Sequence, residues 1–294
     1  MSKNRIIPRL WAAIYFSELY MVASAGAFVW LCARWMGVTL DGRWYAMACA
    51  GCWWVYLVDA GLFRVPEEDQ VNAPNRAAFM QRWRGVLLIA VIGATAGVAV
   101  WMFTGPIRPA TWALAAVEAG IAGAYVLPVL PGKTRWLRLK DLATVKPIVI
   151  SAAWLCGAMG LAVTQGRTFG AEVVHEWLFG ALMVLLLLAD SIALDWKDRE
   201  GDTGIALRTI ATRLTGRSYD VLMTVMIALA VGVLIAGIIR GGGAIWWGPA
   251  VAMIITLMPS LWAARHVTHH RVAVGTAIAA WRFIGAAVAL IIIR

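Results

Sequence analysis

Leu178-Phe-Gly-Ala-Leu-Met-Val-Leu-Leu-Leu-Leu-Ala-Asp190-Ser-Ile-Ala-Leu-Asp195-Trp-Lys-Asp198-Arg-Glu200-Gly-Asp202 runs from an apolar stretch straight into a cluster of carboxylates. Read from residue 174 to 194, its apolar half is about the 20 residues that a helix needs to cross a bilayer. Charge at the edge of hydrocarbon is costly and marks a functional site with a partner. For several carboxylates together, the cheapest partner is a divalent cation.

The rest of the chain agrees with the apolar half. Hydrophobic residues make up 62% of the 294 residues, charged residues 14%, and the mean hydropathy is +0.75. Soluble domains carry about 25% charged residues. Apolar windows predict nine spans, at 11–33, 44–63, 85–104, 110–130, 142–164, 174–194, 218–239, 244–263 and 272–293. The expected fold class is all-α, a polytopic membrane protein with nine transmembrane helices in a single domain over residues 1–294. The connections are too short for a separate soluble domain.

The first apolar stretch follows Lys3, Arg5 and Arg9 and lacks a clear small-residue cleavage site, so it reads as a retained helix rather than a signal peptide. Its basic flank predicts a cytoplasmic N-terminus, and nine spans then put the C-terminus on the opposite side. Of the 26 Lys and Arg, 19 fall on the N-terminal side of this topology, six on the other, and Arg282 lies within the last span, as the positive-inside rule requires. The expected location is a bacterial-type inner or plasma membrane. The net charge of +10 thus needs no nucleic acid; it faces anionic lipid or an anionic substrate.

Cys32, Cys49, Cys52 and Cys156 all fall in apolar spans and are expected as reduced, packed thiols. Cys49-x-x-Cys52 has no second pair to complete a metal site. His266, His269 and His270 read as surface charge in the last cytoplasmic loop. Trp11, Trp44, Trp136, Trp177, Trp246 and Trp247 fall at span ends, where indoles anchor in the interface. Long polar connections at 64–84, 131–141 and 195–217 alternate with short turns on the other side, which assigns the chemistry to the cytoplasmic face.

If the sixth span continues as a helix past Leu194, Asp195, Asp198 and Asp202 stand at i, i+3 and i+7 and share one face. Their mutual repulsion is relieved by a cation or by water. Magnesium takes one or two carboxylates together with phosphate oxygens and water, so the face suits a diphosphate held through bridging metal. Arg208, Thr209 and Arg213 follow closely enough to contact phosphate directly. A solvated helix end, with Lys197, Arg199 and Glu200 in simple surface pairs, explains the composition equally well.

The stretch Asp195-Trp-Lys-Asp198-Arg-Glu-Gly-Asp202-Thr-Gly-Ile-Ala-Leu-Arg208-Thr209-Ile-Ala-Thr-Arg213-Leu resembles the second aspartate-rich motif of the UbiA superfamily of intramembrane prenyltransferases. A second block, Tyr125-Val-Leu-Pro128-Val-Leu-Pro131-Gly-Lys133-Thr-Arg135 with Lys140-Asp141 and Lys146, is similar to that family's Tyr-x-x-Pro element and the basic residues behind it. The resemblance implies nine helices around a central, lipid-accessible chamber. It also implies Mg2+-dependent transfer of a prenyl group from a polyprenyl diphosphate to an aromatic or other hydrophobic acceptor. Asp59, Asp195, Asp198 and Asp202 would be metal ligands, with Asp59, Asp198, Asp202 and Asp190 catalytic. Tyr125, Lys133, Arg135, Lys140, Lys146 and Arg208 would bind substrate. Asp190, a turn inside the span, is placed either to orient the acceptor or take its proton, or to bond a neighbouring helix.

The chain departs from the family at the first aspartate-rich motif, expected at the end of the second span. Val55-Tyr-Leu-Val-Asp59-Ala-Gly-Leu-Phe63-Arg-Val-Pro66-Glu67-Glu-Asp69 offers only Asp59 in place, with Phe63 one helical turn on and Pro66 closing the helix. Glu67 and Asp69 are then loop acids that complete the substrate site if the loop folds back. Three outcomes stay open: a prenyltransferase with a rearranged motif, a related activity such as prenyl cyclisation, or a lipid-binding homologue without turnover. A secondary transporter fits less well, since most acids lie at the rim rather than mid-membrane. Trp53, Trp54, Tyr56, Phe63 and Trp154 are candidate chamber walls, or ordinary packing.

Overall fold

The computed structural model describes residues 6–63, 66–131, 136–166, 174–204, 209–240, 247–266 and 271–292, with the side chains of 6–9, 67–68 and 271–273 left outside the description. The chain is all-α. Its helices are α1 (Ile6–Phe16), α2 (Leu19–Trp35), α3 (Gly42–Asp59), α4 (Glu67–Asn72), α5 (Pro74–Met102), α6 (Pro109–Val126), α7 (Val145–Thr164), α8 (Val174–Gly204), α9 (Ile210–Arg213), α10 (Gly216–Arg240), α11 (Gly248–His266) and α12 (Arg271–Ile292). Two two-residue strands, β1 (Leu130–Pro131) and β2 (Trp136–Leu137), pair antiparallel in the connection after α6, followed by a 3-10 turn at Leu139–Asp141.

Among the described residues, five helices are long and apolar enough to cross a membrane: α5, α7, α8, α10 and α12 from Val274. A sixth such span results if α1 and α2, bent 68° apart, are counted together. This is an integral membrane protein. The helices α3, α6 and α11 coincide with three further predicted spans but are less apolar. In α3 the causes are the charged Arg43 and Asp59 at its ends and five Trp and Tyr residues, which suit the membrane interface better than its centre.

The centre of the bundle is α8. Phe179, Leu182, Met183, Leu186, Leu187, Ala189 and Ala193 are buried in a core shared with α2, α7, α10, α11 and α12. By contrast α5 and α6 lie at the periphery, exposing Ile89, Ile92, Val100 and Val117. An apolar face of that kind is at home against lipid.

Several predicted boundaries move, each for a local reason. The first span is not one helix: Glu18 takes a left-handed conformation (φ 61°), and the chain turns sharply between α1 and α2. The second span stops at Asp59, not at 63. Gly61 has φ 106°, Gly61 N–H donates to Val58 O and Leu62 N–H to Leu57 O, closing a Schellman turn. Phe63 is therefore off the face of Asp59 and is exposed. Pro66 does not end that helix, which has already stopped at Asp59; it stands at the N-cap of α4. The fourth span ends at Val126 because Leu127, preceding Pro128, is extended. Pro74 sits in the first turn of α5, which starts well before 85.

Two of the expected interfacial indoles, Trp44 and Trp247, are buried in the core instead, while Trp11, Trp136 and Trp177 are exposed. Trp246, His269 and His270 lie outside the described residues. The four cysteines are free thiols; Cys32 is packed as expected, but Cys156 is exposed on α7.

Candidate functional site

A cavity of about 810 Å3 opens at the end of the bundle where the α3–α5, α6–α7 and α8–α10 connections converge. Its walls include Asp59, Asp69, Tyr125, Lys140, Lys146, Asp190, Asp195, Asp198 and Asp202. All nine were singled out from the sequence, and they come from α3, α4, α6, α7, α8 and the 3-10 turn. Lys133, Arg135 and Arg208 lie outside the described residues. Glu67 begins α4, but its side chain is likewise outside the description.

The acid face of α8 arises because the helix runs unbroken to Gly204, so Asp195, Asp198 and Asp202 all reach the cavity. Each meets a nitrogen. Lys146 Nζ, from the first turn of α7, donates to Asp195 Oδ1 at 2.5 Å. Lys197 Nζ lies 3.2 Å from Asp198 Oδ2. Asn72 Nδ2, at the end of α4, donates to Asp202 Oδ1 at 2.6 Å. That last bond clips the 66–73 segment onto α8, and Gly201 makes it possible: a Cβ there would overlap the Asn72 amide.

On the opposite wall Asp59 accepts from Lys140 Nζ at 2.6 Å. Lys140 is presented by the 3-10 turn, which Asp141 braces by accepting from Arg138 N at 3.0 Å and Arg138 Nη2 at 2.7 Å. Asp69 is buried on α4 and pairs with Arg76, whose Nη1 also donates to Glu18 Oε1 at 3.2 Å. Burial pushes the Asp69 carboxyl above its usual range, against the pull of the Arg76 guanidinium. Asp69 thus does fold back over the cavity. Deeper in, Asp190 pairs with Arg282 of α12 and accepts from Trp281 Nε1 at 3.2 Å.

Of the candidate aromatic walls, only Tyr56 lines the cavity; it accepts from Trp154 Nε1 at 3.1 Å. Trp53 bonds Ser17 O, and Trp54 bonds Thr95 on the far side of α3. Trp11, Tyr15 and Phe16 of α1 also line the cavity.

Among the described lining residues, eight carboxylates (Glu18, Asp59, Asp69, Asp141, Asp190, Asp195, Asp198, Asp202) face five cations (Arg76, Lys140, Lys146, Lys197, Arg282). Among the described residues no group of three or more His, Cys, Asp or Glu is gathered to hold a metal ion alone. The buried oxygens Asp69 Oδ2 and Asp195 Oδ2 nevertheless have no hydrogen-bond partner among the described residues. Hard, acid-only donors of this kind fit magnesium bound through one or two carboxylates, with its other positions left to water and phosphate.

Sequence reasoning missed Glu18, Asn72, Arg76 and the partner of Asp190. One signal was available: Pro74 as a helix-start residue places Arg76 in the first turn of α5, beside the mouth. The others pair across 58 to 130 residues of chain, as Arg76–Glu18, Arg282–Asp190 and Asn72–Asp202 do, and no local pattern announces them. Compared with known proteins, the chain matches no family model, no curated protein and no solved structure.

Proposed function

We propose that this protein transfers a prenyl group from a polyprenyl diphosphate to a hydrophobic acceptor within the membrane, with Mg2+ as cofactor. The observation that carries the reading is the mixed lining of the cavity, where Asp59, Asp69, Asp195, Asp198 and Asp202 interleave with Arg76, Lys140 and Lys146 at one end of an apolar bundle. An excess of carboxylate repels a bare diphosphate but accepts one that arrives with a divalent cation, and the interleaved cations hold the remaining phosphate charge.

Asp195, Asp198, Asp202 and Asp59 are the residues that would hold magnesium, which when bound neutralises the departing diphosphate. Lys140 and Lys146 turn from their present carboxylate partners to phosphate oxygens, and Tyr125 closes the wall between them. The apolar depth of the bundle excludes water from the allylic carbon. In this reading α3, α6 and α11 also cross the bilayer, giving nine spans, with the cavity facing the cytoplasm.

The test is incubation of membranes with radiolabelled prenyl diphosphates of several lengths, with and without magnesium, comparing wild type with Asp198→Ala and Asp202→Ala. Lipid-soluble label should appear only with magnesium and fall at least about a hundredfold in both variants, the scale of losing an electrostatic contact in a closed site. Equal labelling in all three proteins would sink the reading.

A further inference from the structure

Five residues before Asp195, about 7.5 Å further into the bundle along the α8 axis, the cavity wall holds a second polar feature that diphosphate binding does not use. Asp190 and Arg282 are 2% and 3% exposed. Arg282 Nη2 donates to Asp190 Oδ2, the same oxygen that receives Trp281 Nε1. The guanidinium is held between the rings of Trp154 and Trp281, 4.4 and 4.7 Å from their centroids, and its Nη1 reaches Ser24 Oγ at 3.5 Å. Two groups are left over. Asp190 Oδ1 and Arg282 Nε have no hydrogen-bond partner among the described residues, although both side chains line the cavity.

A buried acceptor and a buried donor left unmade on one ion pair are costly, and the pair itself is held by three neighbours, Trp154, Trp281 and Ser24. The geometry points to a binding subsite for a neutral hydroxyl group carried on an apolar body. One hydroxyl answers both vacancies: its O–H donates to Asp190 Oδ1 while its oxygen accepts from Arg282 Nε–H. A carboxylate would bring a second anion against Asp190, an ammonium would face the guanidinium, and a hydrocarbon would leave both groups unmade. Met21, Ile150, Leu187 and Leu194 supply apolar wall for the rest of the molecule.

The inference deepens the prenyl-transfer reading, on which it rests for one point only: that the bound hydroxyl compound is the acceptor. The acceptor is then an uncharged alcohol or phenol without a carboxylate, held a turn and a half below the diphosphate.

Binding is tested apart from transfer, with no magnesium and no diphosphate present. Protein in lipid nanodiscs is titrated calorimetrically with 4-propylphenol, propylbenzene and 4-propylbenzoate, with empty nanodiscs as blank. Saturable binding of 4-propylphenol, at least about tenfold tighter than either analogue, is expected, since one charged hydrogen bond is worth that factor. The double variant Asp190→Leu with Arg282→Met removes the pair without stranding either charge and should abolish the preference. Arg282→Lys, which keeps the charge but not the Nε–H, should weaken it about tenfold and serves if the double variant does not fold. Phenol and propylbenzene binding alike, or a variant binding phenol as wild type does, overturns the subsite. Phenol binding as expected, in a protein that transfers no prenyl group, overturns prenyl transfer and leaves the subsite standing.

Discussion

The helices α3 and α8 bring acid to the same cavity in opposite ways. Past its apolar stretch α8 simply continues, so three aspartates of one helix face stand along the wall at fixed spacing. Instead α3 stops dead at Asp59, where Gly61 turns the chain back, and its side of the mouth is completed by a separate short helix that carries Asp69 and Asn72. A continuous helix positions its acids by its own backbone hydrogen bonds. A folded-back connection positions them only as well as its tertiary clips hold.

The largest difference should appear when each wall loses its lysine. Lys146→Met strands Asp195, whose side chain is 5% exposed and whose other oxygen, Oδ2, already lacks a partner among the described residues. Breaking a buried pair on one side costs about 3–5 kcal/mol, and the partial exposure of Lys146 places the expected loss near the lower figure. Lys140→Met leaves Asp59, whose side chain is 31% exposed and can be rehydrated, so a loss of about 1 kcal/mol or less is expected. Apparent Tm in detergent, measured side by side, reads the asymmetry. Equal losses would mean that the two walls are equally buried and that the contrast between them is wrong.

The same contrast explains what could be read from the chain. Apolar runs locate the long helices because burial in lipid and helix formation demand the same pattern, but not the polar turns by which α5 begins before its apolar run and α8 outlasts its own. The face shared by Asp195, Asp198 and Asp202 followed from helical spacing alone. Helix ends were harder. Gly61 outranks the apolar Leu62 and Phe63 because a left-handed residue ends a helix whatever its neighbours prefer, and the basic Arg76, Arg82 and Arg84 hid the early start of α5. The α3 wall was illegible for a deeper reason: Asn72 meets Asp202 across 130 residues, and its fit depends on Gly201 leaving room.

That clip gives the next effect. Asn72→Ala removes the donor from a buried carboxylate oxygen, which costs about 1.5–3 kcal/mol for a charged hydrogen bond. Gly201→Ala should reproduce most of it by pushing the Asn72 amide aside. Both should expose the 66–73 segment to limited proteolysis while leaving α8 intact. Unchanged cleavage in both would mean that α4 is held by something other than this bond. Smaller again is Gly61→Ala, where a Cβ at φ 106° strains the end of α3 by about 1–2 kcal/mol. Its counterpart Gly204→Ala, in open space at the end of α8, should be neutral or stabilise by up to about 1 kcal/mol. Matching losses at the two glycines would erase the distinction between a stopped helix and a continued one.

The smallest effect tests how dry the α3 wall is. Asp69 lies on α4, outside the long apolar helices, and burial holds its carboxyl above the usual carboxylate range. An unfolded aspartate titrates near about 3.9. Between that value and the higher folded one, the native protein keeps the proton more of the time than the unfolded chain does. The stability contributed by this group is therefore fully present below the unfolded pKa and is lost as pH rises through the folded one. Asp69→Asn, an uncharged side chain of the same shape, carries no such slope. On acidification from neutral pH the apparent Tm of wild type should rise relative to that of Asp69→Asn. A gap that stays flat would show that Asp69 titrates like an exposed acid, and that the folded-back wall is as open to water as its clips are few.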